Sequence, residues 1–328
     1  METGQTVSAR DAGRMHTLIM EDSQPVAMQK TNATPRHARL LRLATHASVA
    51  TATLLIAGKL AAWAMTGSVS VLASLIDSMM DVAASLINLF AVRYALMPAD
   101  HEHRFGHGKA ESLAGLAQTT FIAGSAVFLI LQAVDRLLHP RPLEAVGIGV
   151  GVMVFAILAT LALLIFQRHV IRVTGSTAIR ADALHYTTDL LTNVSIIIAL
   201  LLSGYGWYGI DALFALGIAA YILHSAWRIG HEAFQLLMDR ELPDDQRQRI
   251  RHAALAHGRV RGVHDLRTRR SGHDIFIQMH LELDDELSLF DAHGIADEVE
   301  ASIREIHPEA DILIHKDPHS LDENVAFQ

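Results

Sequence analysis

Long apolar stretches set the pattern of hydrophobic and polar positions over most of this chain. They run at about 40–65, 70–97, 110–138, 143–168, 177–203 and 210–233, parted by short stretches rich in Gly, Pro or charge. A helix of about 20 residues crosses the ~30 Å apolar core of a bilayer, so each stretch predicts a membrane-spanning helix, and six of them put both chain ends on one side. Beyond Asp239 the pattern changes. Residues 243–257 and 288–306 have the apolar spacing of amphipathic helices, and 262–268, 274–283 and 310–315 read as strands. From Ile277 the second strand alternates: Ile277, Met279, Leu281 and Leu283 on one face, Gln278, His280 and Glu282 on the other. This region predicts a small α+β domain with an antiparallel sheet.

The predicted organisation is a disordered cytoplasmic tail over 1–38, a six-helix membrane domain over 39–235, a cytoplasmic α+β domain over 241–320 and a short tail over 321–328. The first segment is polar, mixed in charge and without an apolar period, as in disordered chains. It lacks the basic start and apolar run of a signal peptide.

Composition narrows the class. Half of the chain (51%) is hydrophobic while only 6% is aromatic, so the apolar mass is Ala, Leu, Ile and Val, as in membrane helices. Cysteine is absent, which excludes disulfides and every thiolate metal site, while 20 histidines leave imidazole and carboxylate sites open. A net charge of −8 argues against a nucleic-acid partner. Basic residues choose the side: Arg36, Arg39 and Arg42 precede the first span, Arg93, Arg104 and Lys109 surround the 2–3 loop, and Arg168, Arg172 and Arg180 surround the 4–5 loop. Of the opposite loops, only 139–143 holds a basic residue, Arg141. The positive-inside rule therefore orients both termini to the cytoplasm.

Ionisable groups within apolar helices carry the chemistry. Each costs about 2.5–3.5 kcal/mol on insertion scales, so its retention points to use. Span 2 holds Asp77 and Asp81, and span 5 holds His185 and Asp189, both pairs at i, i+4 on one helical face. Counting about 1.5 Å per residue from the span ends, Asp77 matches Asp189 in depth and Asp81 matches His185. Three carboxylates and one imidazole near the midplane form a tetrahedral site that suits Zn²⁺, and also Fe²⁺, Cd²⁺, Co²⁺ or Mn²⁺. Such ligands must lose protons to bind metal, so metal and protons compete, and an inward proton gradient would drive export. The bland alternatives are interhelical hydrogen bonds alone or a proton channel without metal.

The segments Ser74-Leu-Ile-Asp77-Ser-Met-Met-Asp81, Phe105-Gly-His-Gly-Lys-Ala-Glu-Ser112, Asp182-Ala-Leu-His185-Tyr-Thr-Thr-Asp189 and Leu313-Ile-His-Lys-Asp-Pro318 resemble the cation diffusion facilitator family, and within it the bacterial exporters of ferrous iron and zinc. The resemblance spans about residues 38–320. It implies a proton-coupled homodimeric efflux transporter, not an enzyme, with a metallochaperone-like, ferredoxin-like cytoplasmic domain. Asp77, Asp81, His185 and Asp189 would be its transport site, in the combination associated with zinc, cadmium and ferrous iron. It further implies a second metal site at Asp100, His103 and His107 in the 2–3 loop. A binuclear zinc centre at His264, His280, His293, His315 and Asp317 would help hold the dimer, and a charge pair would join Lys109 to Asp239. Read from the residues alone, solvated loop and surface side chains remain open at all three places. Lys316 and His319 flank the last ligands where the pattern does not ask for them.

Other classes fit less well. A metalloprotease needs H-E-x-x-H, which neither His101-Glu102 nor His231-Glu232 continues, and Gly106-His-Gly-Lys-Ala is not an ATP-binding phosphate loop. A membrane-anchored metal sensor would use the cytoplasmic histidines but leave the buried aspartates unexplained.

Overall fold

The computed structural model describes residues 35–66, 69–139, 147–203 and 210–320. Residues 1–34 of the predicted N-terminal tail and the 321–328 tail lie outside the described residues, as do three short loops that include Arg141, while 35–38, expected in the tail, already belong to the first helix. Six long helices come first: α1 (Pro35–Thr66), α2 (Val69–Ala95), α3 (Lys109–Leu138), α4 (Gly147–Thr174), α5 (Thr177–Ser203) and α6 (Ile210–Leu237). Stretches within α1, α3, α4 and α6 are long and apolar enough to cross a membrane. The remaining two, α2 and α5, are 27 residues each and carry the aspartates and the histidine singled out in the sequence.

Packing houses those polar groups. One set of buried contacts joins α5 to α1, α2 and α4 through Leu41, Ala44, Val92, Val170, Ala178 and Ile179. A second joins it to α3 and α6 through Ile122, Ala126, Ala181, Leu184, Ile222 and Ala226. With neighbours around it, α5 tolerates polar groups that a lipid-facing helix could not. Leu131, Leu158, Ile165 and Trp227 on the outer helices are by contrast well exposed, as lipid-facing side chains should be.

The second region comprises α7 (Asp244–Leu255), β1 (Gly262–Ser271), β2 (Asp274–Leu283), α8 (Leu289–Ile306) and β3 (Asp311–Pro318). Its core gathers Ile250, Ile277, Met279, Leu281, Val299 and Ile303, so the alternation from Ile277 does face inward. The sheet order is β1-β2-β3, with β1 antiparallel and β3 parallel to β2. The expected all-antiparallel sheet is thus corrected to a mixed one. The reason is connectivity: α8 carries the chain back along the sheet, and a crossover helix returns it parallel. Register sets His264 opposite His280, His280 opposite His315 and Glu282 opposite Asp317.

The small domain sits against one end of the bundle. The β1–β2 turn takes Gly272 at φ +62°, a left-handed conformation that glycine allows at little cost. It abuts Gly108, where a side chain would meet Ser271 O at 2.2 Å. His273 of that turn stacks on His37 of α1 with ring centroids 5.2 Å apart. Burial, helped by the nearby His37 and Arg270, lowers the His273 pKa to about 4.

Beside it, burial first and then Glu309 and Asp311 raise the Asp274 carboxyl to about 6. The native state holds that proton more tightly than the unfolded chain does. Asp274 therefore stabilises below the unfolded pKa, and the benefit is lost as pH rises through 6. Asp274→Asn is expected to stabilise the protein at pH 7.5 by about 1 kcal/mol at most once solvent screening is allowed for, read as a higher thermal midpoint in detergent. No gain should remain at pH 4, and a gain that persists there would refute the assignment.

Candidate metal sites

The bundle holds its ionisable groups where α2 and α5 face each other. His185 Nε2 lies 3.0 Å from Asp81 Oδ1 and 3.8 Å from Asp189 Oδ2, and ligand atoms of all three fit within 4.8 Å of one another. The imidazole nitrogen is buried yet makes no aligned hydrogen bond, despite the short approach to Asp81. An imidazole nitrogen with a free lone pair beside two carboxylate oxygens is a donor set that suits a divalent cation. Asp77 lies on α2 one turn before Asp81, but its side chain is outside the described residues.

These groups open onto a cavity of about 890 Å³. Its lining runs from Asp81 and His185 away from the small domain, through Ser78 and Lys59 to Thr192, Ile196 and Gln132. Toward the small domain lies a buried polar cluster. Asp182, 0% exposed, accepts hydrogen bonds from Ser48 Oγ (2.5 Å), Gln167 Nε2 (2.7 Å) and Gln118 Nε2 (3.3 Å). The Tyr186 hydroxyl donates to Ser48 O at 3.1 Å and lies 3.1 Å from Ser85 Oγ. The site thus has the cavity on one side and the Asp182 cluster on the other.

In the loop between α2 and α3, Asp100 Oδ1 lies 3.4 Å from His103 Nδ1 and Asp100 Oδ2 lies 3.2 Å from His107 Nε2. The backbone N–H of His103 and that of Glu102 hold the Asp100 carboxyl below its ordinary pKa, with help from the two imidazoles. His107 is buried against the Tyr94 ring, and its Nδ1 has no hydrogen-bond partner. Nearby, Lys109 Nζ donates to Asp239 Oδ2 at 3.0 Å, and Arg269 approaches the same carboxylate at 3.5 Å. Arg269 also lies over the rings of Phe105 and Phe276, so the loop and the small domain share one interface.

On the sheet, Asp317 bridges. Its Oδ2 lies 2.7 Å from His280 Nδ1 and 3.3 Å from His264 Nε2, while Oδ1 lies 3.1 Å from His315 Nε2. A carboxylate with one oxygen toward two imidazoles and the other toward a third has the form of a bridge between two cations. Glu282 accepts from His264 Nδ1 at 3.0 Å and is 3.1 Å from His319 Nδ1. Those two imidazoles, His264 first, hold its carboxyl below the usual range, and a carboxylate behind a metal-binding imidazole fixes its tautomer.

Two family profiles cover the chain: the cation efflux transmembrane domain over residues 45–238 and the cation efflux protein cytoplasmic domain over 242–319. The chain belongs to the cation diffusion facilitator family. Among relatives of this facilitator, the cation-efflux pump FieF of Klebsiella pneumoniae subsp. pneumoniae is 55% identical over 285 residues, 87% of this chain and 95% of that protein. FieF of Yersinia enterocolitica is 55% identical over 284 residues, with the same shares. A solved structure of the zinc form of CzrB matches 24% of this chain and 92% of its own at 34% identity and a TM-score of 0.24.

The facilitator's structure brings together most of the residues singled out in its sequence: Asp81 with His185 and Asp189, Asp100 with His103 and His107, and His264, His280 and His315 around Asp317. It does not bring in His293, which is exposed on α8 and faces Asp297 at 3.6 Å. Two ionisable groups escaped the sequence reading of the transport site. Lys59, on α1, lines the cavity, and Asp182 anchors the seal. The rule that flags charges inside apolar helices would have found both.

Proposed function

We propose that this chain exports a divalent transition metal from cytoplasm to periplasm in exchange for protons, with zinc as the first candidate and ferrous iron and cadmium as others. All six long helices cross the membrane, the termini face the cytoplasm, and Asp77, Asp81, His185 and Asp189 carry the ion. The observation that carries this reading is the buried His185 Nε2 set between the Asp81 and Asp189 carboxylates on the wall of a large cavity. A membrane-anchored sensor has no use for such a cavity.

The mechanism rests on what these side chains do with protons. A carboxylate or imidazole binds metal only after losing its proton. With the site open to the cytoplasm, the ligands lose protons and take the ion. In the arrangement described above, the cavity opens away from the cytoplasmic domain, which corresponds to the releasing form. Protons from the periplasmic side displace the ion there, and the Asp182 cluster keeps it from slipping back. Return to loading requires that cluster to part while the outer cavity closes.

The loop residues Asp100, His103 and His107 are proposed as a second metal site. Zinc held by His264, His280, His315 and Asp317 would tie the strands of the cytoplasmic domain together. That domain is proposed to pair with a second copy through its exposed apolar side chains Leu289, Phe290 and Leu313. His293, one turn after Leu289, would then reach the partner's metal site.

In proteoliposomes with an outward metal path, zinc flux is expected to follow an imposed pH gradient and to reverse when the gradient is reversed. Flux indifferent to that gradient, with the membrane potential clamped, would exclude proton exchange.

A further inference from the structure

Lys59 sits seven residues before the end of α1, ~10 Å below its outer end at 1.5 Å per residue. A lysine at that depth ordinarily extends to the nearer interface. This one turns into the bundle instead. Its ammonium donates to Ser78 Oγ at 2.5 Å, and Ser78 is only 2% exposed, one turn before Asp81 on α2. Lys59 and Ser78 line the same cavity as Asp81, His185 and Asp189. Among the described residues lining it, Lys59 is the sole Lys or Arg, and at seven residues from the outer end of α1 it lies nearer that end than Asp81, twelve residues along α2.

We propose that Lys59 is a tethered counter-cation of the transport site, weakening its hold on a divalent ion so that the ion leaves outward. The inference deepens the transport reading and rests on it. Its physical basis is simple. The site gathers carboxylates in a low-dielectric wall, where an unopposed cluster would hold a divalent ion too firmly to release it. A fixed positive charge a short distance outward offsets part of that field. It repels the bound ion in proportion to the ion's charge, and so acts more on a divalent ion than on a proton. When the site is empty, the same charge balances the carboxylates during the return. The ammonium need not titrate for any of this. It has only to remain charged and remain pointed inward, and the hydrogen bond to Ser78 provides that orientation.

A positioning residue of this kind separates affinity from turnover. In full-length protein reconstituted into proteoliposomes with a zinc-sensitive dye inside, Lys59→Met is expected to lower the KM for zinc about tenfold and to lower kcat by a similar factor. Lys59→Arg, which keeps the charge, should stay within about twofold of the parent in both. Parent-like KM and kcat in Lys59→Met would overturn the proposal. So would loss of flux in both variants without a fall in KM, because that marks a packing role. A parent chain that moves no zinc would remove the transport reading itself, and the proposal with it.

Discussion

Asp189→Asn should reduce zinc flux at least about a hundredfold and leave the fold intact. The carboxylate lines the cavity, with its side chain 29% exposed, so neutralising it removes no tightly packed group. It does remove one of the two described carboxylates that face His185 Nε2. Loss of even an outer-shell partner costs about 10–100-fold in metal affinity, and a direct ligand should cost more. Asp81→Asn, on the opposing helix, should give the same loss, and the double variant should be little worse than either single one, because a site that has lost one ligand has little left to lose. Metal bound by the cytoplasmic histidines should be unchanged, which calorimetry of the purified variants can follow as a fall of one zinc per chain. Measurable flux in both single variants would sink the assignment, whatever the cytoplasmic domain binds.

Much of this site is legible in the sequence because a bilayer makes charged residues conspicuous. Asp81 and His185 match in depth by simple counting, and the structure sets them 3.0 Å apart. The cytoplasmic histidines are legible for another reason. Strand alternation assigns His280 to the polar face, and the register then aligns it with His264 and His315. What counting along one helix cannot give is the relation between helices. Lys59 reads as one more charge near a membrane edge until α1 is seen to turn it toward Ser78. The direction of β3 was missed for a similar reason: alternation fixes which face a side chain takes, and the crossover through α8 fixes which way the strand runs. His293 was assigned by resemblance to a cluster that one chain does not assemble. Its exposure beside Leu289 and Phe290 is a property of a surface, which sequence spacing does not report.

The Asp182 cluster should tolerate asparagine and fail with alanine. Asp182→Ala would leave the buried Gln167 amide without its acceptor, reduce the Ser48 hydroxyl to its longer contact with Ser85 Oγ at 3.4 Å, free the part-buried Gln118 amide, and open a void among helices α1, α3, α4 and α5. Each buried polar group so orphaned costs about 1–3 kcal/mol, so a loss on the order of 3–5 kcal/mol is expected. A membrane protein carrying that defect should leave little monodisperse material after mild heating in detergent. Asp182→Asn has a way out. Gln167 Oε1 is buried with no hydrogen-bond partner, and a turn of the Gln167 amide would let it accept from the new asparagine Nδ2. That variant should fold, with a weaker seal in place of a charged acceptor. The weaker seal can be read directly, because the chain contains no cysteine. A single Asn88→Cys probe, buried two turns from Asp81 toward the small domain, should react slowly with an impermeant maleimide in the parent background. It should react several-fold faster in Asp182→Asn. Equal reactivity in the two backgrounds would mean that the cluster braces the bundle without gating it, and the closed side of the transport site would need another explanation.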